Sequence, residues 1–177
     1  MKNILISTNA QKALAWLSDN PGREYLAGEI KKATGLSKSG TNFALRDLVK
    51  SGALKREKRG KLYLYTLDHR HPAVKQIKVL VTVVALMPLL LKLHSGVEKI
   101  ILYGSAARGE NTKDSDIDLF VVTHAPEAAR KIVDGLKPGK KIQLIARTPL
   151  KYVEMAKTDP VFYHEVERGI VLREAQK

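Results

Sequence analysis

The stretch "YGSAARGENTKDSDIDLF", Tyr103 to Phe120, constrains the fold more than any other part of the chain. The apolar run "EKIILYG" leads into Gly104-Ser105, and a second run, "DIDLFVVT", opens on carboxylates. Short apolar runs bounded by turn residues read as buried strands, and "SAARG" between them reads as one helical turn. On a strand, Asp116 and Asp118 stand two residues apart and project from the same face, with Asp114 close by. Like charges at that spacing raise one another's pKa unless a positive group lies between them. Two hard oxygen ligands on one face suit Mg²⁺ or Mn²⁺. Gly104 lets an anion approach the backbone closely, and Ser105 adds a hydroxyl beside the exposed N–H groups. A phosphate cradle next to a carboxylate pair is a candidate site for a metal-bound nucleoside triphosphate, with ATP the expected one.

The chain as a whole is basic. It has 31 Lys and Arg against 18 Asp and Glu, a formal net charge of +13. Divided after Arg70, the first part carries +8 and the remainder +5. Such an excess attracts polyanions, of which nucleic acid is the usual one. There is no cysteine, which excludes disulfides and thiolate metal sites. The start, "MKNILISTNAQK", turns polar after three apolar residues and does not follow a signal-peptide pattern. The apolar run Val79–Leu91 lies between Lys78 and Lys92 and contains Pro88. It is short of the about 20 residues a membrane span needs, so a buried helix or a subunit contact is expected. The expectation is a soluble, cytoplasmic protein with no membrane partner.

The first 70 residues read as three helices and a hairpin. "STNAQKALAWLSDN" carries a helical stripe at Ala13, Leu14, Trp16 and Leu17, stopped by "DNPG". "YLAGEIKKATG" is a second helix ending at Gly35. "SKSGTNFALRDLVKSG" is a third, with Ser37 as N-cap, Leu45 and Leu48 facing inward, and Gly52 as terminator. "ALKREKRGKLYLYTL" supplies two strands around Arg59-Gly60. "DHRHP" marks the boundary; His69 and His71 are read as a solvated pair, not metal ligands. From Pro72 a long apolar helix runs toward Ser95, bent at Pro88. Beyond the two central strands, "PEAARKIVDGL" is a helix stopped by "KPG", "KKIQLIAR" a strand, "PLKYVEMAKTDPVFYHEVERG" a broken helical segment, and "IVL" a last strand.

Helix, helix, turn, helix, basic hairpin resembles a winged helix-turn-helix domain over roughly residues 7 to 68. The resemblance implies that the third helix enters the DNA major groove and that the hairpin contacts the backbone. Lys38, Asn42 and Arg46 fall four apart on one face, with Ser39 beside them. The hairpin adds Lys55, Arg56, Lys58, Arg59 and Lys61, a set that seeks phosphate. "GS", ten residues, then "DID" is similar to the signature of the polymerase-beta-type nucleotidyltransferase superfamily, in its minimal branch, over residues 72 to 177. By that resemblance Gly104 and Ser105 bind the triphosphate, Arg108 contacts a phosphate, and Asp116 and Asp118 ligate the metal and carry catalysis. The fold expected is α+β. A winged helix (1–70) precedes a compact nucleotidyltransferase domain (71–177) with a small mixed sheet flanked by helices, and helix 72–95 leads into it.

One position departs from that family. A third carboxylate normally sits on a later strand between apolar neighbours, and here Gln143 takes that place, flanked by Ile142 and Leu144. An amide offers a neutral oxygen but does not accept a proton at neutral pH. Two readings follow. One is an enzyme that transfers a nucleoside monophosphate from an NTP to a hydroxyl on a protein, nucleic acid or small molecule. The other is a DNA-binding transcription regulator, antitoxin-like, whose degenerate domain senses nucleotide; members of the minimal branch include antitoxins that modify a partner toxin. Val79–Leu91 is the candidate contact of a homodimer.

Overall fold

A computed structural model describes residues 5–20, 23–93, 96–112, 114–135 and 141–175. The expected stops at Pro21-Gly22 and at "KPG" (137–139), and the helix end at Ser95, lie outside the described residues. The chain forms two compact units, Met1–Lys78 and Val79–Lys177.

In the first unit, α1 (Asn9–Asp19) is started by a capping box. The Thr8 Oγ1 accepts from Gln11 N at 3.2 Å, while the Gln11 side chain accepts from Thr8 N at 3.0 Å. Tyr25 and Leu26, expected at the start of a helix, instead form a short strand, β1. The helix α2 (Ala27–Thr34) begins only after it, because Glu29 Oε2 accepts from Leu26 N at 2.8 Å and fixes the first turn there. Gly35 closes α2 at φ 68°, the left-handed position that favours glycine. Ser37 caps α3 (Lys38–Lys50) by accepting from Gly40 N at 3.0 Å.

The hairpin is β2 (Leu54–Arg59) and β3 (Leu62–Leu67). Gly60 takes φ 60° at the first position of its two-residue loop, where a type II′ turn needs glycine. β1 and β2 both pair antiparallel with β3, giving the order β1-β3-β2. The core of this unit is Leu17, Ile30, Leu45, Leu54 and Val74, all fully buried, with Trp16 set edge-on to Tyr25 at its margin.

The helix α4 (Pro72–Lys92) passes the division between the units. By length and mean hydropathy, 1.9, it meets the measure of a membrane span, with 33% of its apolar window buried within the chain. Leu86, Leu89 and Leu93 are buried in the second unit, whereas Met87 and Leu91 are exposed.

The second unit is built on β4 (Val97–Tyr103), β5 (Ile117–Thr123), β6 (Ile142–Arg147) and β7 (Ile170–Glu174), in the order β6-β5-β4-β7. β5 and β6 run parallel and the other pairs antiparallel, so the sheet is mixed as expected. β5 is apolar on both faces because both are covered. Leu119 and Val121 meet Leu86 and Leu89 of α4 and Ala129 and Val133 of α6 (Pro126–Asp134). Phe120 and Val122, on the opposite face, meet Met155 of α7 (Pro149–Thr158) and Val166 of α8 (Pro160–Glu167). The fold is α+β, with two small sheets and helices against each.

Candidate functional site

Asp118 is the polar exception in β5. It lies two residues before Phe120, so it projects from the face covered by α7 and α8, at the end of the strand where that cover runs out. Its Cα partners are Tyr103 of β4 on one side and Gln143 of β6 on the other. Asp116 precedes the first strand residue, Ile117, by one position. The two carboxylates are nonetheless close enough to interact. Burial raises the pKa of Asp118, Asp116 and Glu165 add to the rise, and Arg108 opposes it. No hydrogen-bond donor reaches the Asp118 carboxylate among the described residues. One of the two carboxylates has a side-chain partner: Lys141 Nζ lies 3.1 Å from Asp116 Oδ2. Asp114 is exposed.

Gly104 starts the four-residue helix α5 (Gly104–Ala107) at φ 68°, a conformation that penalises any side chain. A Cβ built there collides with the Asp118 carboxylate. Glycine is thus required twice, for its backbone angle and for the close approach of Asp118. Ser105 is half-buried beside it. Arg108, 56% exposed, is held by Glu110 at 3.0 Å.

A cavity of about 460 Å³ opens beside Gly104. Arg108 borders it on one side, and His164, Glu165 and Arg168 from the end of α8 border it on the other. None of these three, nor Lys141, stood out in the sequence. The signal available was their helical spacing in "YHEVERG", which places them within about one turn of each other.

The carboxylate pair fits a hard divalent cation. Asp118 is a half-buried acid with a raised pKa and no internal donor, next to a second carboxylate, and such a pair is completed by a cation. Among the described residues no group of three His, Asp or Glu is arranged to hold a metal. Gln143 is exposed in register with Asp118 and offers only an amide.

The basic residues of the first unit divide into two kinds. Lys38, Ser39, Asn42 and Arg46 are all exposed on α3, and Arg46 stacks on the exposed Phe43 at 4.8 Å. On the hairpin, Lys55 sits 3.8 Å from Asp68, and Arg56 lies 4.7 Å over the Tyr63 ring. Arg59 is already spoken for, with two 2.7 Å bonds to Glu24 and a 2.8 Å bond to Glu57. Those carboxylates raise its pKa, and Arg59 in turn lowers that of Glu57. Lys58 and Lys61 have no ion-pair partner among the described residues. A groove of about 610 Å³ brings Asn42 together with Lys61, Tyr63 and Lys32, the last of which the sequence did not single out.

No curated protein matches the chain. Among solved structures, the archaeal chromatin protein TrmBL2, described as showing a novel mode of DNA binding, is similar at 14% identity with a TM-score of 0.34. The match covers 94% of this chain and 74% of that one, a likeness too low to bear on fold or function. Residues 88–171, which hold Gly104, Ser105, Asp116, Asp118 and Gln143, match the family model of the nucleotidyltransferase domain.

Proposed function

We propose that the second unit binds a nucleoside triphosphate with a divalent metal and transfers its nucleoside monophosphate to a hydroxyl acceptor. The observation that carries this reading is the juxtaposition of Gly104 with Asp118, inside a stretch similar to the nucleotidyltransferase domain. Asp116 and Asp118 would hold Mg²⁺ or Mn²⁺, which neutralises the triphosphate and orients its α-phosphate for in-line attack. The Ser105 hydroxyl and the adjacent backbone N–H groups orient the phosphates. Arg108 exchanges its exposed pair with Glu110 for phosphate oxygens at little cost, since a surface ion pair contributes about 0–1 kcal/mol. Lys141 offsets part of the negative charge at Asp116. Gln143 takes no proton, so the acceptor hydroxyl must lose its proton to another group. Incubation of the purified chain with labelled NTPs, Mg²⁺ and cell lysate tests this. Label should pass to an acceptor and should be lost in the Asp116→Ala/Asp118→Ala variant, and no transfer from any NTP sinks the enzymatic reading.

Gln143 favours a second reading, a regulator that binds nucleotide without efficient turnover. Calorimetric nucleotide binding, with no label transfer and with DNA affinity that changes on adding nucleotide, would select it. Both readings include a first unit that is a winged helix binding DNA, supported by the element order α1-β1-α2-α3-β2-β3 and by the exposed basic side chains on α3 and the hairpin. Salt-titrated binding to random duplex and to the gene's own upstream region tests this part. No affinity for either at low salt would return the hairpin to a protein-contact role.

A further inference from the structure

The cavity beside Gly104 is more basic than the Gly-Ser stretch alone explains. Arg108 and Arg168 face it from different elements, against one lining carboxylate, Glu165. Arg168 is the C-cap of α8, is exposed, and has no ion-pair partner among the described residues. Arg108 carries its own surface pair with Glu110, so Arg168 is the guanidinium whose position no ion pair accounts for among the described residues.

Its placement is fixed by the backbone. Ile170 pairs with Leu102 and Val171 with Ile101, antiparallel. Gly104 and Arg168, each two residues beyond the last paired residues, Leu102 and Ile170, line the same cavity. Gly169 permits this approach. A Cβ there would lie 2.5 Å from the Leu102 carbonyl oxygen and 2.8 Å from that of Val166, so any larger residue pushes the end of α8 off β4. His164, one turn earlier, lines the same wall.

We propose that this cavity seats the terminal phosphates of the nucleotide, and that Arg168 closes on them opposite Arg108. The site thereby selects a nucleoside triphosphate over the di- and monophosphate. The guanidinium fork bonds two phosphate oxygens at once, which gives geometric selectivity as well as charge. A volume of about 460 Å³ is ample for the phosphates. The inference rests on the nucleotide reading above and extends it to a residue outside the family-like motif.

Calorimetric titration of the full chain with ATP, ADP and AMP in Mg²⁺ tests it. Wild type should bind ATP about tenfold or more tighter than AMP. Arg168→Ala should lose about tenfold for ATP while AMP stays within about twofold, and Arg168→Lys should recover part of the loss. Arg130→Ala, at a different cavity, controls for net charge and should leave ATP binding unchanged. Equal ATP affinity in wild type and Arg168→Ala overturns the assignment while leaving the nucleotide reading standing. So does an equal loss for ATP and AMP, which would make Arg168 a general support of the site. Failure of wild type to bind any of the three nucleotides overturns both.

Discussion

Asp118 and Gln143 are Cα partners in the parallel pairing of β5 with β6, so a carboxylate and an amide project side by side from one face of the sheet. This is the position at which an added acid would complete the charge set without moving the backbone. Gln143→Asp should therefore raise nucleoside monophosphate transfer or nucleotide hydrolysis, by about 10²-fold or more if proton acceptance is what limits the rate. Label transfer at saturating NTP measures it. Rapid transfer by wild type, slowed by the substitution, would place the proton acceptor elsewhere.

Gly104→Ala should cost about 1–2 kcal/mol from the left-handed backbone alone, and the clash with Asp118 adds to it. Urea unfolding of the variant gives the stability loss, and calorimetry should show nucleotide binding weakened with it. Ser105→Ala is the contrasting case, in which stability should stay near wild type while nucleotide affinity falls. Full stability in Gly104→Ala would mean that Asp118 does not need the approach described.

The raised pKa of Asp118 has a consequence for stability in the absence of metal. Between the unfolded value, about 3.9, and the higher folded one, the folded chain still holds a proton that the unfolded chain has released. Unfolding then releases protons, and stability falls as pH rises through that window. Above it the ionised carboxylate is a standing cost, which Asp118→Asn removes. With EDTA present, the wild-type Tm should fall further relative to Asp118→Asn as pH rises from the acid range to neutrality. Mg²⁺ should raise the wild-type Tm and leave that of the variant unchanged. Parallel Tm curves for the two proteins would contradict the raised pKa of Asp118, which burial causes first and the neighbouring carboxylates second.

On the first unit, the ion pairs rank the basic residues. Lys58→Ala and Lys61→Ala should each flatten the salt dependence of DNA binding by about 1, because each frees one phosphate contact. Arg59→Ala should flatten it less, since that guanidinium is already bound to Glu24 and Glu57. Asn42→Ala or Arg46→Ala should cost about 1–3 kcal/mol on a preferred sequence and little on random duplex. Binding isotherms across a salt series separate the two effects, and an Arg59→Ala slope change equal to that of Lys58→Ala would refute the ranking.

Much of this protein is written locally. The caps at Thr8 and Ser37, the glycines at 35 and 60, and the apolar runs that became β4 and β5 all act within four residues or within one element, so the sequence displays them directly. The nearness of Gly104 to Asp118 was legible for the same reason, because little chain separates the two strands that carry them. The sequence alone also determined that the amide of Gln143 stands where an acid was expected.

Other features depended on partners far along the chain. Tyr25 and Leu26 became a strand because Tyr65 and Leu64 lie beside them, and neither residue's own preference announces that pairing. Arg59 is neutralised by Glu24, 35 positions away, which no charge count along the hairpin reveals. Lys141 reaches Asp116 across the parallel junction of β5 and β6. The tertiary structure alone decided that α8 lines the same cavity as Gly104, through the antiparallel register of β7 on β4 and the absence of a side chain at Gly169. The physical reason is common to all four. A sheet's register and a close backbone approach are fixed by packing between segments distant in sequence, and only the folded chain brings those segments into contact.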